Sequence, residues 1–343
     1  MPFNHSGHGG TQRVSATIAN QKFRMADMDG VLIIDKPAGM TSHDVVARVR
    51  RITAHRRVGH TGTLDPFATG VLVVLVGRAT RLAQFLSGAE KEYQAVIRLG
   101  FATDTGDRTG QRMPDAADQS HAKAQSTQSF RKEEIERALA SLRGEIEQTP
   151  PMYSARKIAG RKLYELARRG EEVERQAVRV NVSAFEPITP ETLLVENDDG
   201  AKDLNARVVC SAGTYIRTLA EDFGKGLGVG AHVAELRRTR AGQFKIEDAV
   251  TLDRLAEAAE NGSLEQILVS PDAAVSFLPA LHLDSDLARR VVNGIDLQIE
   301  DGEEIHYSNG QAVRMRTGNG ELIAVGIYDG ERRAIHPQVV IGN

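Results

Sequence analysis

A short stretch rich in glycine and proline, residues 59–72, constrains the fold of this chain more than any other feature. It reads Gly-His-Thr-Gly-Thr-Leu-Asp-Pro-Phe-Ala-Thr-Gly-Val-Leu. Asp65 stands inside it, and the apolar run 71–76 follows directly. The turn around the acid is built from Gly59, Gly62, Pro66 and Gly70. Glycine permits unusual backbone angles, and proline biases the residue before it away from helical geometry. The pattern predicts an acid held rigidly at the mouth of a strand.

Length and composition predict a soluble, cytoplasmic globule. The chain has 343 residues, enough for one large domain and a smaller one, and 41% of them are hydrophobic. No run reaches the ~18 apolar residues of a membrane span. Residues 1–27 lack the apolar core of a signal peptide and predict a flexible tail. Cys210 is the only cysteine, so an internal disulfide is impossible, which suits a reducing compartment.

The net charge of −3 conceals an uneven distribution. Residues 247–343 contain 7 Arg and no Lys against 17 acidic residues, whereas residues 1–246 contain 36 basic and 29 acidic residues. The larger part can therefore face a polyanion, while the acidic tail part cannot do so over its whole surface. Charge runs are usually solvated faces, so this signal is weak by itself.

The order of apolar and polar segments predicts an α+β fold. A strand at 30–36 is followed by a helix that Ser42 can cap, and later strands pair with helices without a βαβ repeat. Residues 111–129 have the composition of a flexible insertion. Short strands with Gly-Asn-Gly and Asp-Gly turns predict a small β domain at 278–343, after a main domain at 28–270.

The usual cofactor patterns do not occur in the sequence. The ten histidines are scattered, and the lone cysteine has no partner at metal-ligand spacing. The glycines at 224–230 follow a predicted helix and precede none, unlike a phosphate-binding loop. What is left is one rigid acid with basic clusters, and we expect no metal and no small-molecule cofactor.

Several blocks, taken in order, resemble one family. They are Lys-Pro-Ala-Gly-Met-Thr-Ser at 36–42, Gly-His-Thr-Gly-Thr-Leu-Asp-Pro at 59–66, Lys-Glu-Tyr at 91–93, Gln-Thr-Pro-Pro-Met-Tyr-Ser-Ala at 148–155, Gly-Thr-Tyr-Ile-Arg-Thr-Leu at 213–219 and His-Val-Ala-Glu-Leu-Arg-Arg-Thr at 232–239. Together they resemble the bacterial tRNA pseudouridine synthase B (TruB) family. The resemblance implies a pseudouridine synthase catalytic domain, with a mixed and largely antiparallel sheet flanked by helices, and a small PUA-like RNA-binding domain.

The family isomerises the uridine at position 55 in the T loop of tRNA: the base leaves its ribose, rotates and rejoins through carbon. The resemblance implies that Asp65 is the essential carboxylate, that Arg217 pairs with it, and that Tyr93 stacks on the target base. A carboxylate can trap or stabilise the electron-poor sugar that bond cleavage leaves. Whether it attacks the sugar, attacks the base or removes a sugar proton stays open. The alternatives are a turn carboxylate, a surface arginine and a core tyrosine.

The resemblance also implies the residues that bind substrate. His60 matches a histidine that fills the space left by flipped bases. Asp107 matches an acid near those nucleotides, and Leu236 matches an apolar residue of the base pocket. Lys36 and Tyr215 fall inside the matching blocks. Residues 150–170 correspond to a thumb-like loop over the RNA, where Arg156 and Lys157 are expected contacts. Capped-turn, loop and core roles are the alternatives for the first three.

The expected partner is the T stem-loop of tRNA, bound by a monomer without a guide RNA or a membrane. Phosphate contacts are expected from 48–57, 156–169 and 237–245. Two other functions stay open. One is an RNA-binding factor that refolds tRNA, which would not need Asp65, Tyr93 and Arg217. The other is a guide-RNA-dependent isomerase of the archaeal and eukaryotic type, which activity on tRNA alone would exclude.

Overall fold

The structure is a computed structural model that describes residues 28–114, 130–154, 156–158, 160–167, 169–171, 173–197, 200–299 and 307–342. The predicted tail 1–27 and residues 115–129 of the predicted insertion lie outside the described residues. Of Lys157, only the backbone is described.

Helices lie between groups of one to four successive strands, and no regular βαβ repeat occurs among the described residues. The strands are β1 Gly30–Lys36, β2 Val58–Thr61, β3 Thr69–Val76, β4 Lys91–Leu99, β5 Gly144–Gln148, β6 Lys157–Ile158, β7 Arg161–Lys162, β8 Val178–Pro187, β9 Val195–Glu196, β10 Lys202–Cys210, β11 Ala231–Ala241, β12 Phe244–Lys245, β13 Ala280–Leu283, β14 Leu297–Gln298, β15 Ala312–Thr317, β16 Leu322–Asp329 and β17 Ala334–Val340. The α-helices are α1 Ser42–Ile52, α2 Ala83–Ser87, α3 Lys132–Ala140, α4 Leu163–Ala167, α5 Ile216–Gly226, α6 Leu252–Glu260, α7 Pro271–Ala274 and α8 Ser285–Val292.

A mixed sheet forms the centre of the molecule. Its main path runs β1-β3-β11-β4-β10-β8-β5, with β2, β12 and β9 attached to β3, β11 and β10. The β3–β11 pair is parallel, and every other pair along this path is antiparallel. The predicted mixed and largely antiparallel sheet is therefore confirmed.

The hydrophobic pattern of each strand explains its place in the sheet. β3 is a continuous apolar run buried on both faces, as expected for a central strand. β4 alternates, so that Tyr93, Ala95 and Ile97 face one side. These residues pack with Leu219 and Phe223 of α5 in one core cluster. Helix α5 is thereby held against the sheet face on which Tyr93 lies.

The helix cap at the start of α1 differs from the expectation. Thr41, not Ser42, caps the helix: its hydroxyl accepts from the Asp44 N–H, and the Asp44 carboxylate accepts from the Thr41 N–H. Ser42 is buried instead, and its hydroxyl bonds both the N–H and the C=O of Leu64. The serine therefore ties α1 to the loop that contains Asp65.

A second sheet lies in the C-terminal part, with the strand order β13-β15-β16-β17-β14. Val325 and Val339 of this sheet join a core cluster with Leu75 and Leu82 of the main sheet region. Arg81 also donates to the Val340 carbonyl at 2.6 Å. The α+β class with a β-rich C-terminal sheet is confirmed, whereas the exact limits 28–270 and 278–343 stay a prediction. No helix in the described part is long and apolar enough to cross a membrane.

Candidate active site

The Asp65 loop connects β2 to β3 and is held by backbone bonds of its own. The Ala68 N–H donates to the Asp65 carbonyl at 3.1 Å, which closes a tight turn around Pro66. The Gly39 N–H donates to the Pro66 carbonyl at 2.8 Å from the segment after β1. The rigid acid predicted from the glycines and the proline therefore has a defined backbone frame.

Lys36 supports this loop from inside the protein. Its side chain is fully buried, and its Nζ donates to the carbonyls of Pro37, Pro66 and Ala68 at 2.8, 3.2 and 2.7 Å. Burial lowers the pKa of Lys36 to about 8. Its side chain is buried and its donors are engaged with the loop carbonyls, so the structure shows Lys36 as a support of the loop, and its contact with substrate stays a prediction.

Arg238 holds the loop from the opposite side. Its side chain is 1% exposed, its Nε donates to the Val71 carbonyl at 2.7 Å, and its Nη2 donates to the Gly62 carbonyl at 2.8 Å. The backbone of Arg238 pairs with Gly70, which has a φ of +99°. A Cβ at Gly70 would lie 2.2 Å from the Arg238 carbonyl oxygen. Only glycine therefore fits this close approach of β3 to β11.

Asp65 and Arg217 form a two-pronged ion pair. Nε of Arg217 donates to Oδ2 of Asp65 at 2.9 Å, and Nη2 donates to Oδ1 at 3.1 Å. The remaining donors of the guanidinium bond the carbonyls of Thr105 and Tyr153, both at 2.7 Å. The Arg217 side chain is 4% exposed and that of Asp65 is 34% exposed. The carboxylate thus faces the surface while the arginine fixes its orientation from behind.

Two opposing effects act on the Asp65 carboxyl. Burial raises its pKa because a charged form loses solvation, and the Arg217 guanidinium opposes that rise. The Asp107 carboxylate raises the pKa further, and Lys36 lowers it. The ionised state of Asp65 therefore depends on its arginine partner.

Asp107 lies behind Arg217 and does not face the surface. Its side chain is 6% exposed, and one oxygen lies 3.9 Å from Nη1 of Arg217. Its Oδ1 accepts from the Thr105 hydroxyl and from the N–H and hydroxyl of Thr109. Asp107 is therefore enclosed beside Arg217, with Oδ1 bonded inside the loop and Oδ2 near the guanidinium, and its expected place near the flipped nucleotides stays a prediction.

A cavity of about 300 Å³ opens beside the ion pair. The Tyr93 side chain and Leu236 line it together with Asp65 and Arg217. Tyr93 is 8% exposed, and burial raises the pKa of its phenol, which keeps the hydroxyl protonated. Tyr215 lies at the rim, where its backbone N–H and carbonyl both bond the Gln148 side chain. The structure therefore brings these five predicted residues around one concave site of nucleobase size.

The other predicted residues lie further out. His60 on β2 approaches Thr63 at 3.3 Å and meets the ring of His43 edge-on, with a centroid distance of 5.3 Å. Burial lowers the pKa of His60, so the neutral form is favoured. Arg156 is exposed on the segment that precedes the β6–β7 hairpin. Lys157 lies in β6, and its side chain is outside the description.

The structure separates the basic clusters into exposed and neutralised groups. On α1 and after it, Arg48, Arg51 and Arg56 are exposed. In contrast, Arg237 pairs with Asp35 at 2.8 Å, and Arg240 pairs with Glu90 at 2.8 Å. Arg238 is buried and cannot take part in the expected phosphate contacts from 237–245, whereas the contacts of Arg237, Arg240 and the exposed Lys245 stay a prediction.

The arginines of the C-terminal sheet are also paired. Arg314 and Arg316 both form ion pairs with Asp272, which lies in α7, outside the C-terminal sheet. Arg332 pairs with Asp296 at 3.2 Å. These three arginines therefore form no separate basic patch that would offset the acidic net charge of residues 247–343.

Sequence reasoning missed three residues that shape the site. Arg238 was assigned to a basic cluster, yet it is buried beneath the Asp65 loop. Lys91 donates to the carbonyls of Ser87 and Ala89, and burial lowers its pKa to about 8. Gln148 fixes Tyr215. All three residues fall inside the blocks that resemble the family, so the sequence marked these positions but did not indicate what the residues do.

The described residues contain no group of three or more His, Cys, Asp or Glu side chains that could hold a metal ion. The groups that line the cavity include the Asp65 carboxylate, the Arg217 guanidinium and the Tyr93 ring.

The family comparison agrees with this geometry. Residues 50–216 match the profile described as "TruB family pseudouridylate synthase (N terminal domain)", and residues 217–276 match "tRNA pseudouridylate synthase B C-terminal domain". The fold and the site thus define a pseudouridylate synthase. More narrowly, the chain belongs to the TruB family.

Curated relatives and solved structures extend the comparison. A "tRNA pseudouridine synthase B" of Bacillus pumilus is 42% identical over 298 residues, 87% of this chain and 92% of the relative. One of Geobacter sulfurreducens is 46% identical over 276 residues, 80% of this chain and 85% of the relative. Among solved structures, a Cbf5-Nop10-Gar1 complex matches with a TM-score of 0.67 and 28% identity over 93% of this chain and 86% of that one.

A further structural match is an H/ACA RNP bound to a substrate RNA that contains 2'-deoxyuridine. It has a TM-score of 0.64 and 27% identity, and covers 95% of this chain and 87% of that one. The suspected family is confirmed. Isomerisation of uridine to pseudouridine in tRNA is the function of that family, and RNA is its substrate.

Proposed function

We propose that this chain isomerises uridine 55 in the T loop of tRNA, with Asp65 as the essential carboxylate. The observation that carries the proposal is the two-pronged Asp65–Arg217 pair at the mouth of a cavity of about 300 Å³. An exposed turn acid would not need a buried arginine with four bonds to hold it. This geometry supports a catalytic acid over the structural alternative.

Each part of the site has a place in the reaction. Cleavage of the bond from C1′ to N1 leaves its electron pair on the base and a deficient centre on the sugar. We assign Asp65 the step that assists this cleavage, in which its carboxylate bonds to the sugar, bonds to the base or removes a sugar proton. The Tyr93 ring and Leu236 supply the apolar walls between which a planar base can stack.

The base must leave its stack to reach this cavity, which costs a few kcal/mol. The exposed arginines of α1 are placed to contribute phosphate contacts, because α1 packs beside β2, and β2 leads into the Asp65 loop. Arg156, which is exposed before the β6–β7 hairpin, is assigned a further phosphate contact. His60 lies on β2, two residues before Gly62 of the cavity wall, and we assign it the space that the flipped nucleotide leaves.

The finer partner assignments follow from the same reasoning. We assign the T stem-loop of free tRNA as substrate, with a monomeric enzyme in the cytoplasm, where tRNA is available. The curated relatives are named for tRNA, which favours action without a guide RNA over the guide-dependent type. The C-terminal sheet is assigned a minor, PUA-like RNA contact, since its arginines are paired with acids. Turnover of tRNA by the purified chain alone tests the absence of a guide.

The central test is tritium release from C5-labelled uridine in a T-arm minihelix. Wild-type protein should release the label, and Asp65→Asn should not. Glu257→Gln on α6 makes the same carboxylate-to-amide change at an exposed position and should act like wild type. Release by Asp65→Asn at the wild-type rate would refute the catalytic assignment, and a tRNA-refolding effect equal in both proteins would reveal the separate chaperone role.

A further inference from the structure

One polar atom at the wall of the cavity has no partner. Ser154 lines the same cavity as Asp65 and Tyr93, and the residue is 5% exposed. Within the part of the chain that the structure describes, its Oγ is buried and makes no hydrogen bond. A buried hydroxyl without a partner lowers stability, because it loses its bonds to water and gains none, so proteins rarely retain one.

The backbone at this position is fixed by the catalytic pair. The carbonyl of the preceding residue, Tyr153, accepts from Nη2 of Arg217 at 2.7 Å. The same guanidinium nitrogen also donates to Asp65. Ser154 is therefore held in register with the carboxylate, and a group that touches one is close to the other.

The charged donors around the cavity are already committed. Arg217 bonds Asp65 and two backbone carbonyls. Lys91 donates to the carbonyls of Ser87 and Ala89, and Arg238 to those of Gly62 and Val71. The Ser154 hydroxyl is thus a buried side-chain donor at this wall that no protein group occupies.

The chemistry of the proposed reaction creates an acceptor that matches this donor. When the C1′–N1 bond breaks, its electron pair stays with the base, which becomes a uracil anion whose charge spreads over its ring nitrogen and carbonyl oxygens. The C1′–C5 bond then forms, the C5 proton is lost and N1 is protonated, so the charge is transient. A hydrogen bond to a carbonyl oxygen strengthens while that charge exists.

We propose that the Ser154 hydroxyl donates a hydrogen bond to a carbonyl oxygen of the everted uracil and stabilises the anion formed on bond cleavage. This role rests on the proposed function. The base is thereby held by its polar edge at Ser154 and by its faces at Tyr93 and Leu236. Ser154 is a catalytic residue in the sense that it touches the reacting base.

The test is a cycle of protein and substrate changes, measured as single-turnover rates on T-arm minihelices. The substrates contain uridine, 2-thiouridine or 4-thiouridine at the target position, because sulfur is a weak hydrogen-bond acceptor. Ser154→Ala should slow uridine conversion by roughly 10- to 100-fold, the range expected for a bond to a charged acceptor. On one of the two thio substrates this penalty should fall to less than threefold, and minihelix binding should change little.

Controls separate this role from a structural one. Ser276→Ala removes a hydroxyl that bonds Gln243 away from the cavity, and it should leave all three rates unchanged. Thermal unfolding of Ser154→Ala should occur at the wild-type temperature or above it, because the hydroxyl makes no bond among the described residues that the substitution could remove. An equal penalty on all three substrates, or no penalty on uridine, would overturn the assignment. If wild-type protein converts none of the minihelices, the proposed function fails instead.

Discussion

Replacing Arg217 by Gln should shift the pH at which the enzyme gains activity. In the proposed function Asp65 must be ionised, whether it attacks the sugar, attacks the base or removes a sugar proton, so its pKa should set the acid limb of the rate profile. In the folded protein, burial raises this pKa and the Arg217 guanidinium opposes the rise. Gln keeps a polar side chain but removes the charge. The pKa of Asp65 should therefore increase, and the acid limb should move to higher pH.

The distances set the size of the shift. The pair is joined at 2.9 and 3.1 Å, which places the charge centres roughly 4 Å apart. At an effective dielectric constant of about 20, this separation corresponds to about 4 kcal/mol. The Asp65 side chain is 34% exposed, so water screens part of that energy. This energy is therefore an upper bound on the loss, and the acid limb should move clearly to higher pH.

Single-turnover tritium release from pH 4 to pH 9 measures the limb. The rate of the variant should rise with pH in a range where the rate of the wild type has already reached its plateau. Arg98→Gln is the matched control, since Arg98 bonds Asp203 at 2.9 and 3.0 Å away from the cavity. Where the variant is too slow, the carbon chemical shift of the Asp65 carboxyl reports the same titration. Coincident limbs in Arg217→Gln and wild type would refute this reasoning.

Three further predictions follow from the same structure. Gly70→Ala should lower the free energy of unfolding by roughly 2–4 kcal/mol, because its Cβ would collide with the Arg238 carbonyl. Gly39→Ala has open space around its Cβ, so it should lower the free energy of unfolding by about half as much. Thermal unfolding measures both variants. The pKa of Lys36 is about 8 in the folded protein and 10.5 for an ordinary lysine amine, so the folded state binds fewer protons than the unfolded state between these values. The stability of wild type relative to Lys36→Met should therefore rise by up to about 3 kcal/mol from pH 7 to pH 10. A stability difference that stays constant over this range in urea unfolding would contradict this prediction. Binding of tRNA should weaken at least about tenfold from 50 to 200 mM salt, and the doubly substituted Arg56→Gln, Arg57→Gln protein should show a slope smaller by about 2 in a plot of log affinity against log salt; a flat wild-type plot would exclude the proposed footprint.

Local patterns predicted the elements that surround the site. The apolar run of β3, the alternation of β4 and the spacing of valines in α1 each follow from contacts within a few residues. The turn around Asp65 was also readable, because glycine and proline act on their own backbone angles. The family blocks then placed Asp65, Arg217 and Tyr93 in one sequence order, although 152 positions separate the first two.

The partners of three charged residues could not be predicted. Lys36 and Asp107 were assigned to the substrate from the family resemblance, and Arg237 was assigned to phosphate from its basic cluster. In the structure Lys36 bonds carbonyls about 30 residues away, Asp107 is enclosed beside Arg217, and Arg237 pairs with Asp35. A charged residue in a sequence shows what it can bond to, but not which partner the fold brings to it.

The sequence alone determined the family, the α+β class, the strand that follows the acid and the turn that holds it, because these depend on near neighbours or on ordered blocks. Tertiary structure decided which charged side chains line the cavity and which are bonded to other protein groups in the interior. Lys36 and Arg238 became supports of the Asp65 loop because strands distant in sequence present carbonyls to them. Burial and partner geometry arise only when those strands pair, so they are decided by the folded chain as a whole.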